Sequence, residues 1–230
     1  MKTIYKIILT VFLFVMDIVY SSFVYSILKY LGFDLLSLKD SAKIFYLILI
    51  DFSFMVIIYL IYHKKVNRDI VDYKNNFKEY FLLGLKCWLI GLSLMIFSNL
   101  IISMIYSNQS ANEEVIQNIL GRYPIYMIFS ASIFAPFVEE LIFRKSIRDI
   151  FDNKYDVIYI IVSGLVFGFI HTLANVNNIM ELLYIIPYGI VGSMFAYIYT
   201  KTDNIFVPMT FHFIHNTMII VLSLSPLFGG

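Results

Sequence analysis

Seven runs of this chain are apolar over a length close to the roughly 20 residues that a helix needs to cross the hydrocarbon of a bilayer. They are Ile4–Leu28, Ser41–Tyr62, Tyr80–Tyr106, Tyr123–Phe143, Val157–Leu173, Leu182–Tyr199 and Ile205–Ser223, the fifth being the shortest. In hydrocarbon a backbone N–H or C=O must find its partner within the protein, so runs of this length read as helices. The expected fold is all-α: a polytopic transmembrane bundle of about seven spans. Composition agrees. The chain is 60% hydrophobic and only 14% charged, where a soluble domain carries about a quarter of charged residues. Its 230 residues leave room for one integral membrane domain, 1–230, with three N-terminal spans in 1–122 and a four-helix core in 123–230. The first run lacks the short apolar core and small-residue cleavage site of a signal peptide, so it reads as a retained span.

Charge sets the expected orientation, because short cytoplasmic loops collect Lys and Arg. With the N-terminus inside, the inner loops hold Lys2, Lys6, Lys64, Lys65, Arg68, Lys74, Lys78, Arg144, Lys145, Arg148, Lys154 and Lys201. The outer ones hold Lys29, Lys39, Lys43 and Arg122, and Lys86 falls inside the third run. That is 12 against 4, with one unassigned, of the 17 basic residues. The C-terminus then lies outside. The run from Tyr62 to Tyr80 reads as a solvated cytoplasmic loop or an interfacial helix, and Ser107–Asn118 as a polar outer loop. The formal charge of +1 argues against nucleic acid as a partner, and the one cysteine, Cys87, excludes an internal disulfide.

Ionisable groups inside such spans are costly, and they mark function more often than chance. Glu139 and Glu140 open the sequence EELIFR, which ends at Arg144. Glu140 and Arg144 are four apart, on one helix face, with the acid N-terminal to the base, so they are expected to pair. Glu139 is turned from Glu140 by about 100° and is free for chemistry. Two close acids in a poorly solvated place repel, which favours one of them as a general base. On this motif alone, a helix end whose charges reach the interface is a serious competitor. FGFIH ends at His171, which taken alone is more readily a hydrogen-bonded core histidine than a catalyst. Gly164 and Gly168 form a GxxxG pair that admits a close helix neighbour. FHFIHN places His212 and Asn216 four apart on one face, where both can donate to a developing oxyanion or simply join helices. For His215 the structural role is preferred. Asp17 and Asp51, in the first two spans, can line a cavity, relay protons or pair with Lys86, and a structural role is expected for them.

Absences narrow the chemistry. HExxH, GxSG and nucleotide fingerprints are missing from the sequence, and the YD and GxGD pair cannot form because GxGD is absent. The ordered set EExxxR, FxxxH and HxxxN on three apolar segments resembles the CPBP family, the CAAX-protease and bacteriocin-processing (Abi) intramembrane proteases. The resemblance covers about Tyr123 to Ser223. It implies that Glu139 and His171 activate water, that His212 and Asn216 form the oxyanion pair, and that Glu140 and Arg144 support them. It implies an endopeptidase acting on a membrane-associated peptide or protein, in peptide maturation or bacteriocin self-immunity, with no cofactor favoured. Zinc on Glu139, His171 and His212 is the competing chemistry. A proton-coupled transporter and a non-catalytic peptide-binding immunity protein are the other readings. The site is expected to open toward the cytoplasm. One tension stands: if the fourth span stops at Phe143, Glu139 lies about 6 Å from its end, while His171 lies about 21 Å along its own helix. They meet only if the fourth helix continues to about Ile150 or the helices tilt strongly.

Overall fold

A computed structural model describes residues 3–151, 153–173, 176 and 178–228. Lys2, counted above among the inner basic residues, and the chain ends 1–2 and 229–230 lie outside them. All regular structure among the described residues is helical. Helices α1 Thr3–Tyr30, α2 Asp40–Asn75 and α3 Phe77–Ile105 are followed by a short α4, Ala111–Arg122. The core follows as α5 Pro124–Ser146, α6 Asp156–Leu173, α7 Ile185–Thr202 and α8 Phe206–Phe228. Seven of these, with α7 extended back to Ile179, are long and apolar enough to span a bilayer. The chain is a multi-pass membrane protein.

Two expectations are corrected. The segment after Tyr62 is not a solvated loop: α2 runs on to Asn75. Its polar sequence hid a partner more than 130 residues away. Asp69, buried on α2, accepts from Lys65 Nζ at 3.0 Å and from the backbone N–H of Ile205 at 2.8 Å. Asn204 donates to Asp69 O at 2.8 Å and to Asp72 Oδ2 at 2.7 Å. The turn between α7 and α8 is thus bolted to α2. The outer loop is not wholly irregular either, since Ser110 caps α4 by accepting from Glu113 N–H at 3.2 Å. This is the Ser-x-x-Glu pattern of a helix start.

α5 occupies the centre. Six of its residues between Glu140 and Ser146 are buried, packed with Phe54, Ile58, Tyr159, Phe167 and Tyr199. Leu, Ile and Phe side chains on α1, α3 and α6 stay exposed, as a lipid-facing surface requires. Lipid gives apolar helices no reason to associate, so close backbone approach must hold them. The GxxxG pair supplies it on α6. A Cβ on Gly168 would lie 2.6 Å from Ile185 O, and one on Gly164 would lie 2.8 Å from Gly189 O. The α6 and α7 backbones are in direct contact, and His171 sits one turn beyond that contact.

α5 is not a uniform helix. Two wider π-turns interrupt it, at Ser130–Phe134 and Glu140–Ser146, and helical backbone continues to Arg148. The first follows from Pro136, which lacks an N–H. Ala135 N–H reaches back five residues to Ser130 O. The next bond in that series would run from position 136 to Ala131 O, and proline cannot make it. Such turns gather at functional sites.

Candidate active site

The extension of α5 resolves the depth mismatch between Glu139 and His171. Glu139 Oε2 lies 3.7 Å from His171 Nε2 and 3.9 Å from His212 Nε2. The oxygen is buried and has no hydrogen-bond partner among the described residues. A buried polar atom without a partner costs about 1–3 kcal/mol, so its retention asks for a reason. Separations of 3.7 and 3.9 Å are too long for direct hydrogen bonds, so a water joining these atoms must sit to one side of the line between them.

Each imidazole is held by its other nitrogen. His171 Nδ1 lies 3.0 Å from Phe167 O, one turn back on α6, and a carbonyl can only accept, so Nδ1 carries the proton. Neutral His171 therefore presents a lone pair at Nε2 toward Glu139. Its ring stacks on Phe167 with centroids 4.0 Å apart, and Tyr188 lies on it at 5.4 Å. His212 Nδ1 lies 2.9 Å from Glu140 Oε1, and its ring stacks on Phe195 at 4.8 Å. Both rings are thus fixed in plane and in rotation.

Behind His212 stands the expected pair. Arg144 Nε lies 3.0 Å from Glu140 Oε2, and both side chains are fully buried. Neither atom has a well-aimed hydrogen bond, so this is a close ion pair rather than a bidentate fork. Arg144 Nη1 donates to Ser163 Oγ at 3.4 Å. The guanidinium is otherwise caged by Phe167, Phe195 and Phe143, at 4.8, 5.5 and 5.8 Å from the ring centroids. These ring faces attract the cation where water cannot.

Asn216 also faces the centre. Its Nδ2 donates at 2.8 Å to Ala131 O, the carbonyl orphaned by Pro136. One N–H of the amide remains. Glu139, His171, His212 and Asn216 all line one cavity of about 700 Å³, set between α3, α5, α6, α7 and α8. Sequence reasoning gave these four, and the structure brings them together. It did not give Tyr188, Ser163 or Phe195, which carry no sequence signal of their own. His215, read as structural, is buried but lines the same cavity, edge-on to Phe195 at 6.4 Å, with Nδ1 unpartnered. Asp17 and Asp51 lie away from this lining. Asp51 is buried against Ser130 and Tyr126, and neither aspartate pairs with Lys86, which is exposed on α3.

The mouth of the cavity lies among Ser103, Asn108, Asn112 and Tyr184. That is the end of the bundle where α3 finishes and α5 begins. The basic residues Lys6, Lys65, Arg68, Lys145 and Arg148 surround a separate polar recess at the opposite end. Under the charge-based orientation this end is the outer one, at odds with the expected cytoplasmic opening. The same rule that puts the basic end inside puts the mouth outside. Over the mouth, Tyr188 Oη meets Ser110 Oγ at 3.1 Å and Asn112 Nδ2 at 3.2 Å, and Tyr184 Oη donates to Asn108 O at 2.6 Å.

Glu139, His171 and His212 offer donor atoms that zinc accepts. As positioned, no set of three His, Cys, Asp or Glu among the described residues is close enough to hold a metal ion.

The site lies within a segment that is similar to known proteins. Residues 121–218, just under half of the chain, match the family of type II CAAX prenyl endopeptidase Rce1-like proteins. The chain is 30% identical to YdiL of Bacillus subtilis (strain 168), described as a candidate membrane peptidase, over 119 residues, 51% of this chain and 45% of that protein. It is 30% identical to the membrane-embedded CAAX protease MroQ of Staphylococcus aureus (strain USA300) over 149 residues, 59% of this chain and 57% of MroQ. The chain spans about half the length of these relatives. No solved structure matches it. The resemblance to CAAX proteases read from three short motifs is borne out, and all three motifs fall inside the matched segment.

Proposed function

We propose that this chain, whose site-bearing half matches the Rce1-like family, is an intramembrane endopeptidase that hydrolyses a membrane-associated peptide or protein. The observation that carries the reading is Glu139 Oε2, buried without a partner and facing the Nε2 atoms of two oriented imidazoles. A water between Glu139 and His171 would lose a proton to Glu139 as it attacks the scissile carbonyl carbon, with His171 Nε2 accepting the water's second hydrogen bond and aiming its lone pair. The carbonyl oxygen becomes an oxyanion, facing His212 and the free N–H of Asn216. When the C–N bond breaks, the proton held on Glu139 passes to the leaving amine. Atoms and charge then balance without a covalent intermediate.

The geometry constrains His212 in this scheme. Its Nδ1–H is given to the Glu140 carboxylate, so Nε2 can donate only when the ring is doubly protonated. Glu140, the ion partner of Arg144, is the acceptor that faces Nδ1 of that form. Glu140 and Arg144 thus act through His212, and the mechanism asks for no metal. A second reading has one observation in its favour: both imidazoles have Nδ1 fixed by an acceptor and Nε2 turned to one carboxylate oxygen, as metal-ligating histidines do. Loss of cleavage on chelation, restored by zinc, would promote it.

We place the catalytic core in 123–230 of a single membrane domain, with N-terminus in and C-terminus out. The biological role we favour is peptide maturation or bacteriocin self-immunity. The test is cleavage of apolar reporter peptides by the protein reconstituted in nanodiscs, read by mass spectrometry. Glu139→Gln and His171→Ala should abolish it. Cleavage that persists in both variants, or peptide binding with no cleavage by any form of the protein, would sink the protease reading.

A further inference from the structure

The polar recess at the end of the bundle opposite the mouth encloses about 380 Å³, the size of a small-ligand site. Separate parts of the chain supply its cations: Lys6 from α1, Lys65 and Arg68 from α2, and Lys145 and Arg148 from the end of α5. Four carboxylates answer these five cations, Asp69 and Asp203 pairing with Lys65 and Arg68, Asp149 with Lys145, and Asp156 with Arg148. Lys6 has no carboxylate partner among the described residues, so the recess keeps an excess of positive charge. Its pairing is also loose where it meets water. The Asp203 side chain is 76% exposed and that of Arg68 60%. Exposed pairs of this kind are worth little, so an anion with stronger hydrogen bonds can take their cations. Phosphate is such an anion, since its oxygens match the donors of Arg and Lys.

Position selects the source of the phosphate. Lys6 lines the recess from the first turns of α1, and Ile7, Ile8 and Val11 beside it are exposed on the lipid-facing surface. The recess therefore lies at the level where hydrocarbon gives way to water. Under the charge-based orientation it faces the cytoplasmic leaflet, whose surface is negative. We propose that the recess binds the phosphate of one anionic lipid headgroup, with the acyl chains lying along the exposed face of α1. Bound there, the phosphate joins α1 to α2 and to the end of α5. The inference stands apart from the protease reading, because the recess and the Glu139 cavity share no lining residue.

The test is to titrate the protein, purified in detergent, with phosphatidylglycerol and with phosphatidylcholine, and to count bound lipids by native mass spectrometry. A basic side chain beside an anionic headgroup is worth about fivefold in affinity, so one phosphatidylglycerol per chain should bind about fivefold tighter than phosphatidylcholine. Lys6→Glu reverses one charge, which is two such steps, and should weaken phosphatidylglycerol by about 25-fold. Asp203→Asn removes a competing carboxylate and should tighten it by about fivefold. Asparagine tolerates the left-handed backbone of position 203, where φ is 43°. A purely structural role for these side chains would not move the affinity in opposite directions. Both effects should fade at high salt. Phosphatidylcholine bound as tightly as phosphatidylglycerol overturns the proposal, and so does an affinity that Lys6→Glu leaves unmoved or that Asp203→Asn lowers. Glycerol phosphate and a tetraglutamate peptide, anions without acyl chains, are offered in the same titration. Binding of either as tight as that of phosphatidylglycerol overturns the lipid assignment.

Discussion

Removing the Arg144 guanidinium tests the ion pair that holds His212. Its environment gives the magnitude. Arg144 and Glu140 are both fully buried and approach to 3.0 Å. At an effective dielectric of about 20, unit charges near 4 Å apart attract by about 4 kcal/mol. Arg144→Met keeps much of the volume but leaves the Glu140 carboxylate buried, with His212 as its remaining partner. Breaking a buried pair in this way costs about 3–5 kcal/mol. Part of that is the lost attraction of the three phenylalanine faces. The double variant Arg144→Met, Glu140→Gln removes the stranded charge and keeps an acceptor for His212 Nδ1–H. It should be more stable than Arg144→Met alone by about 2 kcal/mol, which is the signature of an orphaned charge rather than of lost packing. The assay is reversible SDS unfolding in mixed micelles, followed by tryptophan fluorescence from Trp88. A loss under about 1 kcal/mol for Arg144→Met would show that water reaches the pair. A double variant no more stable than the single would refute the stranded-charge account.

Glu140→Gln preserves the hydrogen bond to His212 but not the charge that supports its doubly protonated form, so turnover should fall by about 10²-fold, as for loss of an oxyanion donor. Cleavage kinetics on the folded variant check this. Gly168→Ala puts a methyl 2.6 Å from Ile185 O and must push α6 from α7. A cost of about 1–3 kcal/mol in the same unfolding assay is expected, as for other overpacked interfaces. Pro136→Ala restores an N–H that can return to the helix, so thermal stability should rise while peptide cleavage falls. Cysteines placed at Lys65 and Asn112 should be labelled by impermeant reagents from opposite sides of the membrane, and labelling from one side would reject the charge-based orientation.

The spans were legible because an apolar run of bilayer length has few other fates in a folded protein. The extension of α2 was not, because nine of its last 13 residues, 63–75, are polar. Asp69 is satisfied by Lys65 beside it and by Asn204 and Ile205 from a distant turn, and hydropathy has no access to such partners. The site residues were legible for the opposite reason. Glu139, His171, His212 and Asn216 are expensive in lipid, so their presence on apolar runs demanded a shared cavity. The i, i+4 spacing of Glu140 and Arg144 gave their pairing. The direction of the mouth was not legible, because the motif lies near basic residues in sequence. Glu139 faces one end of the bundle while Lys145 and Arg148 line a recess at the other.

Pro136 joins the fold to the chemistry, and its effect was readable in principle from a proline set inside an apolar span. A proline three residues before the base withholds one N–H, and the helix responds with a π-turn that leaves Ala131 O without its bond. In lipid an unpaired carbonyl is costly, and Asn216 of α8 meets it at 2.8 Å. The bond locks the amide, because a carbonyl accepts only from the NH₂ end, so the second N–H of Asn216 is held in one direction. The same π-turn shifts the phase of α5 upstream of Glu139 without moving Glu140 off Arg144. One backbone defect thereby fixes the α5–α8 contact and orients a donor, and sets the face on which Glu139 meets the cavity. A regular α5 would satisfy its own carbonyls, leaving Asn216 free to rotate and Glu139 with no fixed relation to His212.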